Sequence, residues 1–347
     1  MENKKCIVVF LTEDTAETYD GKPLMLQDAL FCPILTWCMR AWLKKGVRRF
    51  FVVCDAQYVD DAAACFPEEA AAVAGTEEDY RRDIGEFARG CWIEEVHEAM
   101  LPVGSMMLSF RTVAELARLR RAVKEEIVMF HQRTGVKVVD IDNTYIDPRV
   151  TIGAGTVLLP GTILRGNTVV GEHCEIGPNA MVEDSRIGDG CVVNASQVYS
   201  SELGKEVHVG PFAHIRPNCQ VGDRCKVGAF VEIKNAVFGP DTKMSHLTYV
   251  GDADVGAGVN FGCGTITSNY DGFRKHRTVI GDNAFIGCNT NLVPPVTVGE
   301  GSYIAAGTTV TQDVEPDALA ISRVRQENKP GWAKVRRALH KKPASKN

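Results

Sequence analysis

The chain has 347 residues, of which 45% are hydrophobic, 24% charged and 7% aromatic. This composition predicts a soluble, folded protein of about two domains, at roughly 150 residues per domain, and it excludes a disordered chain. The formal charge of −5 gives no general reason to expect nucleic-acid or membrane binding. The first apolar run, Cys6–Leu11, is too short for a signal-peptide core, so we expect the twelve cysteines to lie in the reducing cytoplasm.

Residues 1–110 predict a small α/β unit. Apolar runs indicate strands at Cys6–Leu11 and Phe50–Cys54, with a helix at Ile34–Lys45 between them. Residues 62–74 have a helical composition, whereas residues 75–90 are charged and poorly patterned. Residues 113–133 predict a long amphipathic helix with its apolar side chains on one face. We expect this helix to form a linker, residues 111–140, between the α/β unit and the rest of the chain.

A six-residue repeat dominates the second half of the chain. From Ile146 to Val310 an aliphatic residue recurs every six positions, with occasional steps of five. The period matches neither the 3.6 residues of an α-helix nor the 2 of an isolated strand, and hexapeptide repeats are typical of a parallel β-helix. We predict a triangular prism over residues 141–315, with roughly nine coils of three hexapeptides each. Residues separated by three hexapeptides then lie above one another.

Glycine and cysteine follow the same repeat. Residues 150–311 contain 24 of the 32 glycines, and we expect these glycines at the turns, where a positive φ costs glycine little. The fourth residue after each aliphatic is usually small, and Cys174, Cys191 and Cys219 occupy this position, as does Cys225. We expect these four to be compact interior side chains and not redox centres.

Several polar residues depart from the repeat. Arg216 and Lys234 replace the usual glycine after an aliphatic and are separated by three hexapeptides, so we expect them to stack on one edge. A phosphate between them would relieve their repulsion, and Asn260 offers an amide to the same neighbourhood. His246 falls at a corner, where it could act as a general base near neutral pH. Solvated surface charges and a solvated histidine are the alternative interpretations.

An insertion and a basic tail also depart from the repeat. The step from Thr267 to Ile280 is more than twice as long as one hexapeptide, which predicts either an extruded loop that reaches beyond its own coil or a simple surface turn. The tail, residues 316–347, has nine Lys and Arg against one Glu from Arg323 onward. It is either solvated or in contact with the phosphates of a ligand. No two of the eight histidines are separated by three hexapeptides, so we predict no metal site.

Six segments carry a more specific signal than the repeat. They are Gly210-Pro-Phe-Ala-His-Ile-Arg-Pro217, Phe230-Val-Glu-Ile-Lys234, His246-Leu-Thr-Tyr-Val-Gly-Asp252, Gly264-Thr-Ile-Thr-Ser-Asn-Tyr-Asp-Gly272, Ala305-Ala-Gly-Thr-Thr309 and Ala320-Ile-Ser-Arg323. They resemble the acetyltransferase half of the bifunctional N-acetylglucosamine-1-phosphate uridyltransferase/glucosamine-1-phosphate acetyltransferase family. The resemblance runs from about Val113 to Gly331, and it implies a left-handed β-helix in a homotrimer with sites between adjacent prisms.

The resemblance also implies an activity: transfer of acetyl from acetyl-CoA to the 2-amino group of glucosamine 1-phosphate, for UDP-N-acetylglucosamine synthesis. His246 would be the general base; the sugar-phosphate site would comprise Arg216, Lys234, Tyr249, Asn260 and Lys275. The positions implied for acetyl-CoA are Cys263, Asn269, Tyr270, Cys288, Ala306 and Arg323, of which Asn269 and Tyr270 would meet the thioester end. Acetyl-CoA would be a cosubstrate, with no bound cofactor, nucleic-acid partner or membrane partner.

Residues 1–110 depart from that family. The family's Gly-rich, UTP-binding loop is replaced by Thr12-Glu-Asp-Thr-Ala-Glu17, whose three carboxylates would repel a triphosphate. The segment that supplies a Mg²⁺ ligand appears as Met107-Leu-Ser-Phe-Arg111. We therefore expect a truncated, degenerate nucleotidyltransferase-like unit without uridyltransferase activity. Two alternatives remain: a retained UTP-dependent uridyltransferase, and a catalytically inactive trimeric scaffold.

Overall fold

The computed structural model describes residues 5–11 and 21–339, so the acidic segment Thr12–Glu17 lies outside the described residues. The chain begins with a small α/β unit around one parallel sheet. Its strands lie side by side in the order Ala71–Gly75, Arg49–Val53, Lys5–Phe10, Trp92–Val96. The strands predicted near Cys6 and Phe50 are confirmed, as is the first helix, α1 (Ile34–Lys44).

Smaller elements complete this unit. Helix α2 (Val59–Ala63) and helix α3 (Glu77–Phe87) connect the strands of the sheet. The remaining elements are the 3-10 turns Leu24–Leu26 and Ala56–Tyr58, the short strand pair Asp28–Ala29 and Cys32–Pro33, and the hairpin Met100–Val103 with Met106–Ser109. Most apolar side chains of the unit form one buried cluster between α1, the sheet and the hairpin.

One expectation for this unit is wrong, and one segment without a prediction forms a helix. Residues 62–74 do not form a helix, because α2 ends at Ala63 and Ala71–Gly75 pairs along Arg49–Val53. Pro67 stands between the two elements, and pairing with a buried strand outweighs the helix propensity of alanine. Residues 75–90 contain α3, whose start is fixed by a capping box between Thr76 and Asp79.

Helix α4 (Val113–Arg133) has the bounds that the sequence predicts. A capping box between Thr112 and Glu115 fixes its first turn. Its buried residues divide between two cores, because Leu116 and Val123 pack in the α/β unit whereas Val128 belongs to the core of the prism. The helix therefore joins the two cores physically as well as in sequence. No helix among the described residues is both long and apolar enough to cross a membrane.

The hexapeptide region forms a parallel β-helix with three faces, here called A, B and C in chain order. Strands on each face pair in parallel with the strand one coil later, as Tyr145 does with Ile163. The long strands Lys226–Phe238 and Lys243–Val255 pass around corners and contribute to all three faces. The remaining strands are, on face A, Lys137–Val138, Val157–Leu158, Glu175–Ile176, Val192–Val193, His208–Val209, Asn260–Phe261, Phe285–Ile286, Tyr303–Ile304 and Leu319–Ala320; on face B, Tyr145–Ile146, Ile163–Arg165, Met181–Glu183, Gln197–Tyr199, His214–Ile215, Ile266–Thr267, Asn291–Leu292 and Thr309–Val310; on face C, Thr151–Ile152, Val169–Val170, Arg186–Ile187, Glu202–Leu203, Gln220–Val221, Thr278–Ile280 and Val296–Val298.

The interior follows the repeat. The aliphatic positions form one continuous core, and Cys174, Cys191, Cys219 and Cys225 are buried as free thiols. The small residue of a repeat can also form a hydrogen bond to the next coil. The Cys191 Sγ donates to the Gly204 carbonyl at 3.0 Å, and the Thr156 hydroxyl donates to the Gly171 carbonyl at 2.8 Å. Burial raises the pKa of Cys191 to about 12, so this thiol stays protonated near neutral pH.

A buried ion pair connects the prism to the α/β unit. Asp147 is fully buried, and its carboxylate accepts two hydrogen bonds from the Arg149 guanidinium, at 2.9 and 2.6 Å. The Asp147 carboxylate also accepts the Gly166 N–H at 3.3 Å, while Arg149 reaches the Phe31 carbonyl at 3.5 Å. Loss of one partner leaves the other charged and poorly solvated.

Asp147→Ala should therefore lower the free energy of unfolding by about 3 kcal/mol, as measured by urea denaturation. Lys205→Ala is the matched control, because its ion pair with Asp189 is half-exposed and should contribute less than about 1 kcal/mol. Equal losses in the two variants would contradict this assignment.

His131, in the last turn of α4, gives a second prediction. It is 4% exposed, and desolvation lowers its pKa to about 4. An unfolded histidine titrates near pH 6.5, so between these values the unfolded chain binds more protons than the folded chain. Stability should fall as the pH is lowered from about 6.5 towards 4, by about 2 kcal/mol between pH 7 and pH 5. His131→Asn should remove this part of the slope in urea melts, and an unchanged slope would contradict it.

Candidate active site

The predicted site residues gather on two neighbouring edges of the prism. Edge AB is the corner between faces A and B, and it includes His246, Cys263, Cys288 and Ala306. Edge BC is the corner between faces B and C, and it includes Arg216, Lys234, Gly251, Asp252 and Asn269. Face B lies between the two edges, and Tyr249 is on this face.

Edge AB holds a column of positions that stack from coil to coil. The Gly264 N–H donates to the Leu247 carbonyl, next to His246, at 2.8 Å. One coil further the Asn289 N–H donates to the Cys263 carbonyl, and after that the Gly307 N–H donates to the Cys288 carbonyl, each at 2.8 Å. His246, Cys288 and Ala306 are exposed and Cys263 is partly exposed, so solvent reaches each position of the column.

Arg323 joins this column from the C-terminal segment. Its guanidinium hydrogen-bonds the Ala306 carbonyl, one coil back along edge AB. Four of the six positions implied for acetyl-CoA (Cys263, Cys288, Ala306 and Arg323) therefore lie in one line that starts at His246. The other two, Asn269 and Tyr270, lie at edge BC.

Edge BC holds a cluster of three cations. The Arg216 N–H donates to the Ile233 carbonyl at 2.9 Å, which places Arg216 one coil below Lys234 as predicted. Contact with the Lys275 ammonium, and then repulsion from Lys275 and Arg216, lower the pKa of Lys234. Like charges held together in this way favour an anionic ligand, which would restore the usual pKa.

One carboxylate modifies the predicted pair. Arg216 is not unpaired, because its Nη1 lies 2.8 Å from Glu232 Oε1 on face B. A phosphate is therefore not required to relieve the Arg216 charge, and the expectation of an unpaired stack is wrong in this respect. Glu232 was missed because it lies nearly a full coil after Arg216 in sequence, and a single sequence does not reveal which carboxylate faces that edge.

The inserted segment folds into a hairpin that delivers Lys275. Tyr270 and Lys275 form an antiparallel bridge, and the Asp271 carboxylate accepts the Phe273 and Arg274 N–H groups at 2.7 Å. These bonds, together with His276 at 2.8 Å, lower the pKa of Asp271 to about 2. The extruded loop is confirmed: it is a hairpin stabilised by its own hydrogen bonds, and its Lys275 contacts Lys234.

Gly251 allows two side chains to approach each other beside the cations. It pairs with Lys234 one coil earlier. The two preceding coils carry Arg216 and Lys234 at this position, whereas this coil carries no side chain. A Cβ atom at Gly251 would lie 2.8 Å from Asn269 Nδ2 and would also overlap the Tyr249 hydroxyl. The missing side chain therefore allows Tyr249 and Asn269 to approach each other under the cation cluster.

Asn260 lies apart from the other predicted sugar-site residues. Asn260 is on face A, stacked between Lys243 and Phe285, so within one chain it is beyond edge AB and turned away from Tyr249. The described residues contain no group of three or more His, Cys, Asp or Glu side chains placed to hold a metal ion. The arrangement thus offers a cation cluster suited to an anion, the Tyr249 side chain on face B and an exposed histidine.

Lys234→Ala and Lys275→Ala should each weaken binding of inorganic phosphate at least ~5-fold, because each removes one charge-assisted contact. Calorimetric titration of phosphate at pH 7.5 measures this. Lys137→Ala, an exposed lysine at the start of face A, is the control and should leave the affinity unchanged. Equal effects of all three substitutions would show only a general attraction of anions.

Comparison with known proteins identifies the hexapeptide repeat and related sequences. The family model "Bacterial transferase hexapeptide (six repeats)" matches residues 200–235 and 277–312, and "Hexapeptide repeat of succinyl-transferase" matches residues 167–196. The bifunctional protein GlmU of Caldanaerobacter subterraneus subsp. tengcongensis is 54% identical over 222 residues, 64% of this chain and 49% of that protein. The GlmU protein of Geobacillus sp. strain WCH70 is 42% identical over 285 residues, 79% of this chain and 61% of that protein.

The chain thus spans about half to three fifths of the length of the curated relatives it matches. Among solved structures, an LpxA UDP-N-acetylglucosamine acyltransferase from Bacteroides fragilis 9343 aligns over 56% of this chain and 76% of its own, at 20% identity. Its TM-score of 0.34 is too low to carry an argument. The repeat, the parallel strands and the GlmU sequences together identify the chain as a relative of the GlmU proteins, built on a parallel β-helix of bacterial transferase hexapeptides.

Proposed function

We propose that the chain is an N-acetyltransferase that moves the acetyl group of acetyl-CoA to the 2-amino group of glucosamine 1-phosphate. The observation that carries the proposal is that face B has cations at one edge and a histidine at the other. A cation cluster suited to a phosphate lies at edge BC, an exposed histidine lies at edge AB, and Tyr249 lies on the face between them. A sugar phosphate laid across this face would have its phosphate on the cations and its amine towards His246.

The reaction needs one base and no covalent intermediate. His246 removes a proton from the substrate ammonium, because only the free amine has a lone pair. The amine attacks the thioester carbonyl carbon, and as the carbon–nitrogen bond forms the nitrogen releases a second proton to water. The tetrahedral oxyanion then collapses to the amide and breaks the carbon–sulfur bond. The CoA thiolate leaves and is protonated by the histidinium. Lys234, Arg216 and Lys275 hold the phosphate and so fix the position of the amine.

Acetyl-CoA is assigned to edge AB. The column of Cys263, Cys288, Ala306 and Arg323 starts at His246, so a CoA chain lying along it would end with its thioester near the base. The buried cysteines of the interior take no part, and Cys288, although exposed, is assigned a contact and not an acyl-carrier role. No resident cofactor is assigned.

The positions of Asn260, Asn269 and Tyr270 support a homotrimer with sites between prisms. Asn260 lies on face A, on the far side of edge AB from the proposed sugar. Asn269 and Tyr270 lie at edge BC, one face away from the CoA column. These residues and the CoA column can serve one reaction if edge AB of one chain lies against face B of a neighbouring chain.

The α/β unit is assigned no catalysis. Its sheet has four strands, and the segment Met107–Arg111 lies on a hairpin strand and the residues that follow it. We propose that another protein converts the product to UDP-N-acetylglucosamine in the cytoplasm. Retained uridyltransferase activity and an inactive trimeric scaffold are the competing functions, and no feature of the described α/β unit favours the first.

The test measures CoA thiol release from acetyl-CoA with glucosamine 1-phosphate, and pyrophosphate release from UTP with N-acetylglucosamine 1-phosphate. His246→Ala should lower kcat of the first reaction by about 10²- to 10⁴-fold, because general-base catalysis is lost. His208→Ala, an exposed face-A histidine, should be unaffected. Absence of thiol release from the unsubstituted protein would overturn the proposal, and pyrophosphate release would assign uridyltransferase activity to the α/β unit.

A further inference from the structure

A groove of about 930 Å³ lies where the α/β unit, helix α4 and the first coil of the prism meet. We call it the junction groove, and its volume is in the range of sites that hold small molecules. Its lining includes Trp37 and Lys44 of α1, Met106 of the hairpin, Phe130 and His131 of α4, and Val150 of the first coil. A ligand that fills this groove therefore contacts both units of the chain.

The junction groove is not where a parallel sheet normally binds its substrate. All four strands of the sheet run parallel, and open parallel sheets bind ligands beyond the carboxyl ends of their strands. The groove residues Leu43, Lys44, Lys45 and Arg48, by contrast, precede strand Arg49–Val53. They lie at the amino end of that strand, so the groove is separate from the place where the fold would hold a nucleotide.

A buried histidine without a partner lines the junction groove. His131 is 4% exposed, and neither of its ring nitrogens forms a hydrogen bond with any described residue. Burial alone lowers its pKa to about 4, so the ring is neutral near pH 7, with one nitrogen as donor and the other as acceptor. Buried polar groups are normally hydrogen-bonded, and an unpaired one costs stability. A polar ligand atom in the groove would supply the missing bond.

Helix α1 presents cations to the same groove. Trp37, Arg40 and Lys44 follow one another at spacings of three and four residues, so they form one stripe along the helix. Lys45 follows at the end of the helix and also lines the groove. Within residues 5–11 and 21–339, these three cations form no ion pair. An anionic ligand would therefore meet charges that no carboxylate of the protein already holds.

The carboxylates of the groove do not balance its cations. Glu69 and Glu126 line it, but Glu126 lies 3.6 Å from Arg133, which is not a lining residue. Arg48 is a fourth cation of the lining, and its guanidinium donates to the Leu43 carbonyl at 2.8 Å. The groove thus has an excess of positive charge, which favours an anion.

The hairpin and α4 contribute an apolar surface to the groove. Met106 is 59% exposed and Phe130 is 57% exposed, and Met107 and Ile127 also line the groove. Aromatic and thioether side chains pack well against a ring. Exposed apolar side chains gathered in one groove, with charged residues among them, are typical of a ligand site.

We propose that the junction groove binds a small organic anion with an aromatic body. The anionic group lies on Arg40 and Lys44, the ring packs against Phe130 and Met106, and a polar atom of the body bonds His131. This site goes beyond the proposed acetyltransferase function and does not depend on it. Because its ligand contacts α4 and the first coil together, binding stabilises the connection between the two units.

Two dyes that differ only in one sulfonate group test the proposal: 8-anilino-1-naphthalenesulfonate and the uncharged N-phenyl-1-naphthylamine. Each brightens on leaving water for an apolar site, so fluorescence titration of the full chain gives both affinities. Arg40→Ala with Lys44→Ala should weaken binding of the sulfonate at least about 10-fold, because two charge-assisted contacts are lost. Binding of the uncharged dye should change less than about 2-fold.

Lys234→Ala with Lys275→Ala is the matched control, because it removes the same charge at edge BC. It should change either affinity less than about 2-fold. His131→Leu removes the ring nitrogens and keeps the cations. Both dyes have an N–H group that can bond His131, so both should bind about 3-fold or more weakly to this variant.

Urea melts check that each variant is folded, and neither Arg40 nor Lys44 is buried. Selective loss of the sulfonate dye in the α1 variant, with loss of both dyes in His131→Leu, supports the proposal. Equal loss of both dyes in the α1 variant would reduce the groove to an apolar surface and overturn it. Equal loss in the edge BC control, unchanged binding to His131→Leu, or no saturable binding of the sulfonate would also overturn it.

Discussion

The structure depends on the close stacking of one backbone coil on the next. Parallel strands lie about 4.8 Å apart, and at the corner between faces C and A the backbones come too close for any side chain. At Gly222, for example, a Cβ atom would lie 2.7 Å from the Pro240 nitrogen. Glycine occupies this corner coil after coil, at positions 153, 171, 188, 204, 222, 239, 256, 281 and 299. The first position of this corner is therefore limited to glycine, whereas the predicted site residues lie at the other two corners and on the faces.

This constraint explains where the chemistry is found. The position after the aliphatic residue carries Arg216 and Lys234 on edge BC, and the carboxylate of Glu232 reaches the same edge from face B. Edge AB carries His246, Cys263, Cys288 and Ala306 on four successive coils. The stacked coils thus hold these polar groups in a fixed order, and Lys275 is added by a hairpin that forms its own hydrogen bonds.

The sequence was sufficient for the prism because its period is imposed by the fold itself. The buried cysteines, the stacked cations and helix α4 could all be predicted from spacing alone. Residues 62–90 could not, because strand pairing of Ala71–Gly75 outweighs alanine's local preference and the capping box at Thr76 is a weak signal in a charged segment. Glu232 was missed for another reason: its partner belongs to a neighbouring coil, so its role exists only once the coils have stacked.

Helix α4 has a consequence for the ends of the molecule. The first coil of a β-helix exposes unpaired strand edges and an open apolar interior, and a second prism could stack onto it. Val128 of α4 is fully buried in the prism core, and the Asp147–Arg149 pair links the first coil to the α/β unit. Helix α4 thus covers part of the apolar end of the first coil, which is the surface that a capping segment covers in other solenoid proteins.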